Sequence, residues 1–239
     1  MADHAARKRA ALAALVAEQP AFHHDGEREQ VWSARPETLA YLAEATRPND
    51  RTVETGSGAS TVVFAAAGAL HTAISPMAGE HRTIEAWCAA HDIPTGRLTF
   101  VEGYAEEVLP AFDPPAALDV VFIDGKHSFP YPIVDWHYLS TLLRVGGVVV
   151  LDDVRAPAVE VLCRMMLADP AWELLAAPDR EAAAFRWLAP APPGDPWQEQ
   201  RLAPPEAFAR HFGAGEPPPA PPRRRPLRRV RGALRRIVR

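Results

Sequence analysis

Three carboxylates, Asp124, Asp152 and Asp153, stand at the ends of two short apolar runs, and Lys126 and His127 follow the first of them almost at once. The runs, Asp119–Ile123 and Gly147–Leu151, are rich in β-branched residues and stop abruptly at the acids. A hydrophobic sheet does not need acids there, so their placement points to chemistry. Hard carboxylate oxygens suit Mg²⁺, and all three are candidate ligands. His127, a side chain with an ordinary pKa near ~6.5, suits a general base or a ligand. Structural roles compete with each assignment. Asp153 can cap a helix beginning near Ala156, Asp124 can cap a turn before Gly125, and His127 can simply be satisfied by a neighbouring carboxylate.

A second constellation is Val53-Glu54-Thr55-Gly56-Ser57-Gly58-Ala59-Ser60-Thr61. Gly56 and Gly58 let a backbone approach a ligand closely, since no Cβ intrudes. The spacing differs from the dinucleotide fingerprint, because Thr61 stands where a third glycine would be. That disfavours a nicotinamide dehydrogenase. Glu54, two residues before Gly56, suits a cationic ligand group better than a pyrophosphate. A plain strand-to-helix turn with a capping hydroxyl is the alternative.

The elements that must position these residues follow from periodicity and turn chemistry. Residues 4–18 form a helix, and a second follows Pro36. Arg51–Glu54 is a strand and Ala59–Ala67 a helix. His71–Ser75 is a strand and Glu80–His91 a helix, with Ile84, Trp87 and Cys88 at helical spacing. Leu98–Glu102 is a third strand, followed by a short helix over Ala105–Leu109. The two acid-ended runs are the fourth and fifth strands. Between them lies a crossover long enough for a helix, closed by Leu143-Arg144-Val145-Gly146-Gly147 as a helix stop. After a helix over Ala156–Leu167, Trp172–Ala176 and Ala183–Leu188 make a final pair of strands about the turn Pro178-Asp179-Arg180. The fold class is α/β: a doubly wound, Rossmann-like, mostly parallel seven-stranded sheet with an antiparallel edge. In such sheets ligands sit outside the carboxyl ends of the strands, where the glycines and the acids both fall.

Four segments result: a helical extension over 1–34, the α/β domain over 35–189, a Pro-rich linker over 190–222 and a basic tail over 223–239. Twelve prolines between Pro190 and Pro226 argue for an extended linker. The tail carries nine arginines and no acid, so the first 222 residues hold 17 basic against 30 acidic side chains, a balance of −13. Leu227, Val230, Leu234, Ile237 and Val238 share one face of a basic amphipathic helix. Its expected partner is an anionic membrane surface, with no specific nucleic acid, because no aromatic side chain is there to stack on bases. A tail folded back on the acidic body is the alternative. The amino terminus reads as a surface helix rather than a leader. His23 and His24 precede the domain, where they can belong to a lid. No run approaches the ~20 apolar residues of a membrane span. The two cysteines, Cys88 and Cys163, sit in apolar helical contexts without metal-ligand spacing. These features fit a cytoplasmic protein, peripheral to the inner face of the membrane if the tail docks there.

With Glu54-Thr55-Gly56-Ser57-Gly58, then Phe122-Ile123-Asp124-Gly125-Lys126-His127-Ser128, then Leu143–Val154 in that order, residues 35–190 resemble the class I S-adenosylmethionine-dependent methyltransferases. The Ile-Asp-Gly-x-His-Ser stretch is similar to the group that includes macrocin-type and other sugar or natural-product O-methyltransferases, with catechol-type enzymes more distant. The resemblance implies that Glu54, Gly56, Ser57 and Gly58 line the methionine and ribose part of the cofactor, with Asp124 beside them. At the end of the second strand the family usually carries an acid for the ribose. Here Ser75 holds that place, and Glu80 is the nearest acid. After the third strand Tyr104 stands where an acid often marks the adenine, and its ring can stack there instead. The resemblance further implies Mg²⁺ on Asp124, Asp152 and Asp153, with His127 or, as in catechol-type relatives, Lys126 as the general base. The expected substrate is a small hydroxylated molecule. A noncatalytic cofactor-binding module docking through its tail is the rival.

Overall fold

The computed structural model describes residues 2–24, 29–188 and 201–213. Helix α1 (Ala2–Glu18) leads to a minimal antiparallel ladder, β1 (His23–His24) with β2 (Glu29–Gln30). Helix α2 (Pro36–Ala45) follows, with proline in its first turn, where a missing N–H costs nothing. The alternating body is β3 (Arg51–Thr55), α3 (Ala59–Ala67), β4 (Leu70–Ser75), α4 (Ala78–Ala90), β5 (Leu98–Glu102), α5 (Ala105–Val108), β6 (Leu118–Ile123), α6 (Tyr131–Leu142), β7 (Leu143–Leu151), α7 (Pro157–Ala168), β8 (Trp172–Ala176) and β9 (Ala183–Trp187). A last helix, α8, covers Pro205–Phe212.

The seven long strands form one sheet in the order β5-β4-β3-β6-β7-β9-β8. The first five run parallel, and β9 lies antiparallel to both β7 and β8. The expected doubly wound sheet with an antiparallel edge is therefore present. Chain order reverses between β3 and β6, where a ligand crevice opens. Backbone hydrogen bonds close the strand ends in series. Gly56 N–H donates to Ile74 (2.9 Å), Asp124 N–H to Thr55 (3.1 Å) and Asp152 N–H to Ile123 (3.1 Å). The glycine loop and the acids are thereby set side by side across three neighbouring strands.

Two apolar clusters cover the two faces of the sheet. One gathers α1, α2, α3 and α4 around Leu42, Phe64 and Ile84, and the other gathers α6, α7 and α8 around Leu139, Leu162 and Phe212. Helix α3 (ASTVVFAAA) is buried at every position, so its small residues pack between the sheet and α1. The amino-terminal helix is more than a surface element, because Ala11 and Leu15 are buried in that layer. Cys88 and Cys163 are free thiols in the two cores.

Two expectations need adjustment. The helix stop falls where expected, with α6 ending at Leu142, but β7 begins at Leu143 rather than Gly147, with a register shift opposite Leu118–Val120 and a left-handed Gly146 (φ 78°). The Pro-rich linker is not extended throughout, since Pro205–Phe212 is a helix. Proline at the first helical position starts it, and Phe208 and Phe212, four residues apart, bury one face in the second core. Ala203 N–H donates to the main-chain oxygen of Arg164 (2.9 Å) and Arg164 Nε donates back to the Ala203 carbonyl (2.8 Å), tying the segment to α7. Proline density marked the flanks and concealed this docked turn. The remaining linker residues, 190–200 and 214–222, and the arginine tail lie outside the described residues. Among the described residues no helix is long and apolar enough to cross a membrane.

Because Phe212 is fully buried, Phe212→Ala should destabilise the protein by about 3–5 kcal/mol, measured by urea denaturation. An unchanged midpoint would show that α8 does not dock.

Candidate active site

A cleft of about 590 Å³ opens at the carboxyl ends of the parallel strands. It is lined by Gly56, Ser57 and Gly58 on one side, by Ser75 and Tyr104 along one wall, and by Asp124, Lys126, His127, Asp152 and Asp153 opposite. All expected site residues except Glu54 therefore meet in one place.

Glu54 is turned the other way. It is fully buried, and its carboxylate accepts hydrogen bonds from the hydroxyls of Ser60 (2.5 Å) and Thr61 and from Nε2 of His71 (3.0 Å). Thr61 Oγ1 in turn accepts from Gly58 N–H (2.9 Å), His71 Nδ1 meets Thr52 Oγ1 (2.8 Å), and the His71 ring stacks on Phe64. Glu54 is thus a bracket beneath the glycine loop, not a ligand-facing carboxylate. The reason is alternation along the strand: Glu54 points to the α3 face, where two hydroxyls and an imidazole satisfy a charge that would be costly unpaired. The loop itself demands glycine. Gly56 has φ +97°, and a Cβ there would lie 2.5 Å from the main-chain oxygen of Asp124.

His127 lies between two acids, Nδ1 at 2.9 Å from Asp153 and Nε2 at 3.3 Å from Asp124. Burial disfavours the imidazolium, but the two carboxylates outweigh it and push His127 up to about 10. The same contact holds Asp153 below the usual carboxylate range. Lys126 ion-pairs with Glu106, which raises it further, and its ammonium sits over the rings of Tyr104 (3.7 Å) and Tyr131 (4.4 Å). Both cations are protonated at neutral pH, so neither matches the expected general base. Asp152 is 7% exposed, and burial, with the charges of Asp124 and Asp153 close by, pushes it up to about 8. Burial likewise raises Asp124.

The expected Mg²⁺ seat is not shown. Among the described residues no three His, Cys, Asp or Glu side chains are grouped to hold a metal ion. Asp124 and Asp153 are spent on opposite nitrogens of His127, which supplies the cation between them. Asp153 is not a helix cap either: the cap of α7 is Ala156, whose N–H donates to the main-chain oxygen of Asp153 (2.7 Å).

The cleft also contains residues that the motifs did not single out. Asp135 of α6 is 1% exposed, pushed up to about 6 by burial against the opposing Thr55 hydroxyl. Its signal was an acid inside an otherwise apolar helix. Trp32 and Tyr131 have no pattern of their own. Ser75 caps locally, its hydroxyl accepting from Met77 N–H (3.4 Å).

Two expectations follow. Glu54→Ala should cost about 3–5 kcal/mol in urea denaturation, since it strips a buried network of its acceptor; wild-type stability would refute the bracket. His127 carries a folded-state pKa raised to about 10 from an unfolded value near ~6.5. Its stabilisation is therefore complete below ~6.5 and lost as pH rises toward about 10. Thermal melts should show that decline in the wild type, and His127→Gln should flatten it.

Residues 53–154 match the family profile described as a methyltransferase domain. Among solved structures, the O-methyltransferase NovP superposes with a TM-score of 0.61 at 16% identity, over 78% of this chain and 100% of that one. The methyltransferase PaMTH1 of Podospora anserina, solved with SAH, gives 0.56 at 18% identity over 75% and 88%. The O-methyltransferase TomG of Streptomyces achromogenes, solved with SAM, gives 0.54 at 18% over 77% and 90%. No curated protein matches the sequence significantly. At these identities the structures establish the Rossmann-like fold, and the profile adds that residues 53–154 are similar to a methyltransferase domain.

Proposed function

We propose that the protein is an S-adenosylmethionine-dependent methyltransferase that methylates an oxygen of a small hydroxylated acceptor, a sugar or a secondary metabolite. The observation that carries this is the single cleft in which a glycine loop faces a titratable acid cluster across the β3–β6 crevice. The cofactors of TomG and PaMTH1, and the O-methyltransferase activity of NovP and TomG, support it by analogy.

The residues present fit such a cofactor. Ser57 Oγ is buried without a hydrogen-bond partner in the wall of the cleft, so a polar ligand would satisfy it. Gly56, Ser57 and Gly58 would hold the methionine end, beside the Asp124 main chain, with Ser75 and Tyr104 further along the wall. Bound there, S-adenosylmethionine supplies a methyl group on a sulfonium that leaves as a neutral thioether.

The remaining work falls to this chain. An acceptor hydroxyl must lose its proton as its oxygen attacks the methyl carbon. Asp152, poised near neutrality and lining the cleft, takes that proton. His127, held as an imidazolium, stabilises the negative charge growing on the acceptor oxygen. Lys126 holds Tyr104 and Tyr131 in the wall.

Isothermal calorimetry should detect S-adenosylhomocysteine binding; no heat would refute the methyltransferase reading. A base works only when deprotonated, so kcat/KM should rise with pH and level off above about 8, reporting the interacting Asp152–Asp124 pair. Asp152→Asn should lower kcat by roughly 10²–10⁴-fold and leave S-adenosylhomocysteine affinity intact. A fully active Asp152→Asn variant would remove Asp152 from the mechanism.

A further inference from the structure

Asp153 has φ +50°, a left-handed conformation that a residue other than glycine keeps only where its surroundings over-determine it. It opens a tight turn, closed by Ala156 N–H donating to the Asp153 carbonyl (2.7 Å), and the next amide, Val154 N–H, donates to the main-chain oxygen of Glu181 (2.7 Å). From this turn the Asp153 carboxylate meets His127 Nδ1 at 2.9 Å. Arg155 stands at the corner of the same turn, outside the lining of the cleft. Its guanidinium donates to the main-chain oxygen of Phe212, at the end of α8, and its Nε lies 3.1 Å from Glu181 Oε1. The last carbonyls of a helix have no partner within it and form the negative end of its dipole, so a cation is well placed there. Gly213 leaves room for it: φ is +81°, and a Cβ would lie 3.4 Å from Arg155 Nη2. Glu181 serves twice, since Arg35, the residue after the cleft-lining stretch 31–34, approaches the same oxygen to 3.6 Å.

Helix α8 lends no side chain to the cleft, and it lies outside the residues 53–154 that match the methyltransferase profile. It is nevertheless docked through Phe208, Phe212 and the hydrogen bonds between Ala203 and Arg164, so its end is a fixed point on the body. We infer that α8 is a working part of the site, and that Arg155 is the positioning residue through which its docked end locks the left-handed Asp153 turn toward His127. The carboxyl-terminal helix is then a brace for the acid end of β7. Lifting α8 frees the Arg155 head, the turn relaxes, and Asp153 leaves the imidazole. The inference rests on the proposed reaction for the use made of these acids, while the brace itself is a property of the protein without any ligand.

The test is amide hydrogen exchange followed by NMR on the full-length chain. Arg155→Ala should speed exchange of the Val154 and Ala156 amides roughly 10–100-fold, the worth of a hydrogen bond to a charged group. The Gly56 amide, which donates to Ile74 on the far wall, should keep its wild-type rate. The ring Nδ1–H resonance of His127, identified by its absence in His127→Gln, should broaden or vanish with Arg155→Ala. Arg155→Lys, which keeps a cation without the planar fork, should fall between the two. Gly213→Ala strains the left-handed end of α8 and crowds the guanidinium from outside the site, so it should move both readouts in the same direction. Unchanged exchange at Val154 and Ala156 in Arg155→Ala, or an equal acceleration at Gly56, would overturn the positioning role. A Gly213→Ala variant with wild-type exchange and a wild-type His127 resonance would overturn the part given to α8. Failure of the wild type to bind S-adenosylhomocysteine would instead remove the methyltransferase reading and leave the exchange result standing.

Discussion

A carboxylate with essentially no access to water holds the site together. Glu54 would be prohibitive alone in a hydrophobic sheet, yet two hydroxyls from the first turn of α3 and an imidazole from β4 surround it. Those three partners come from the two elements that follow β3, so satisfying one charge fixes the turn from β3 into α3 and the register of β4 beside it. The glycine loop lies directly above. Gly58 N–H is already engaged by Thr61, and Gly56 is pressed against the Asp124 carbonyl. The cofactor wall is therefore rigid because of what lies under it, consistent with the need to preorganise a site on elements whose own rotamers are locked.

The opposite wall follows a different electrostatic logic. Three acids at adjacent strand ends repel one another, and the chain relieves this with one internal cation, His127, between Asp124 and Asp153. Asp152 remains without such a partner, and burial first, with that repulsion added, holds its pKa high. Two groups in one cleft are thus pushed apart in role, a histidine kept charged and an aspartate kept near its titration point. In the proposed reaction, this arrangement would let a single site both donate positive field and accept a proton near neutral pH. Lys126 is drawn off to Glu106 and to two tyrosine rings, which makes it part of the wall.

Much of this is legible in the sequence. Apolar runs ending in acid marked the carboxyl ends of strands, and glycine spacing marked the turn into α3. Ala59–Ala67 and Leu98–Glu102 match the observed elements residue for residue. What misled were local signals that tertiary packing overrode. Proline density in 190–222 disguised a helix whose two phenylalanines find a core to bury in. Two glycines in Leu143–Gly147 suggested a break where a bulged strand edge continues. Asp135 and Trp32 carry no motif, and His23 stood out only as a candidate for a lid, since nothing in their spacing says that they meet at the same cleft.

By itself the sequence determined the class of the fold, the order of its elements and which end of the sheet would carry the chemistry, because periodicity, glycine turns and the burial cost of charge are local facts. Only the tertiary structure decided which way each charged side chain faces and what it meets. Strand alternation sent Glu54 inward and left Asp124 in the cleft. Proximity across strands, which no spacing reveals, turned His127 from a candidate base into a cation and Asp152 from a candidate ligand into the poised acid. A pKa belongs to an environment, and that environment is assembled from residues far apart along the chain.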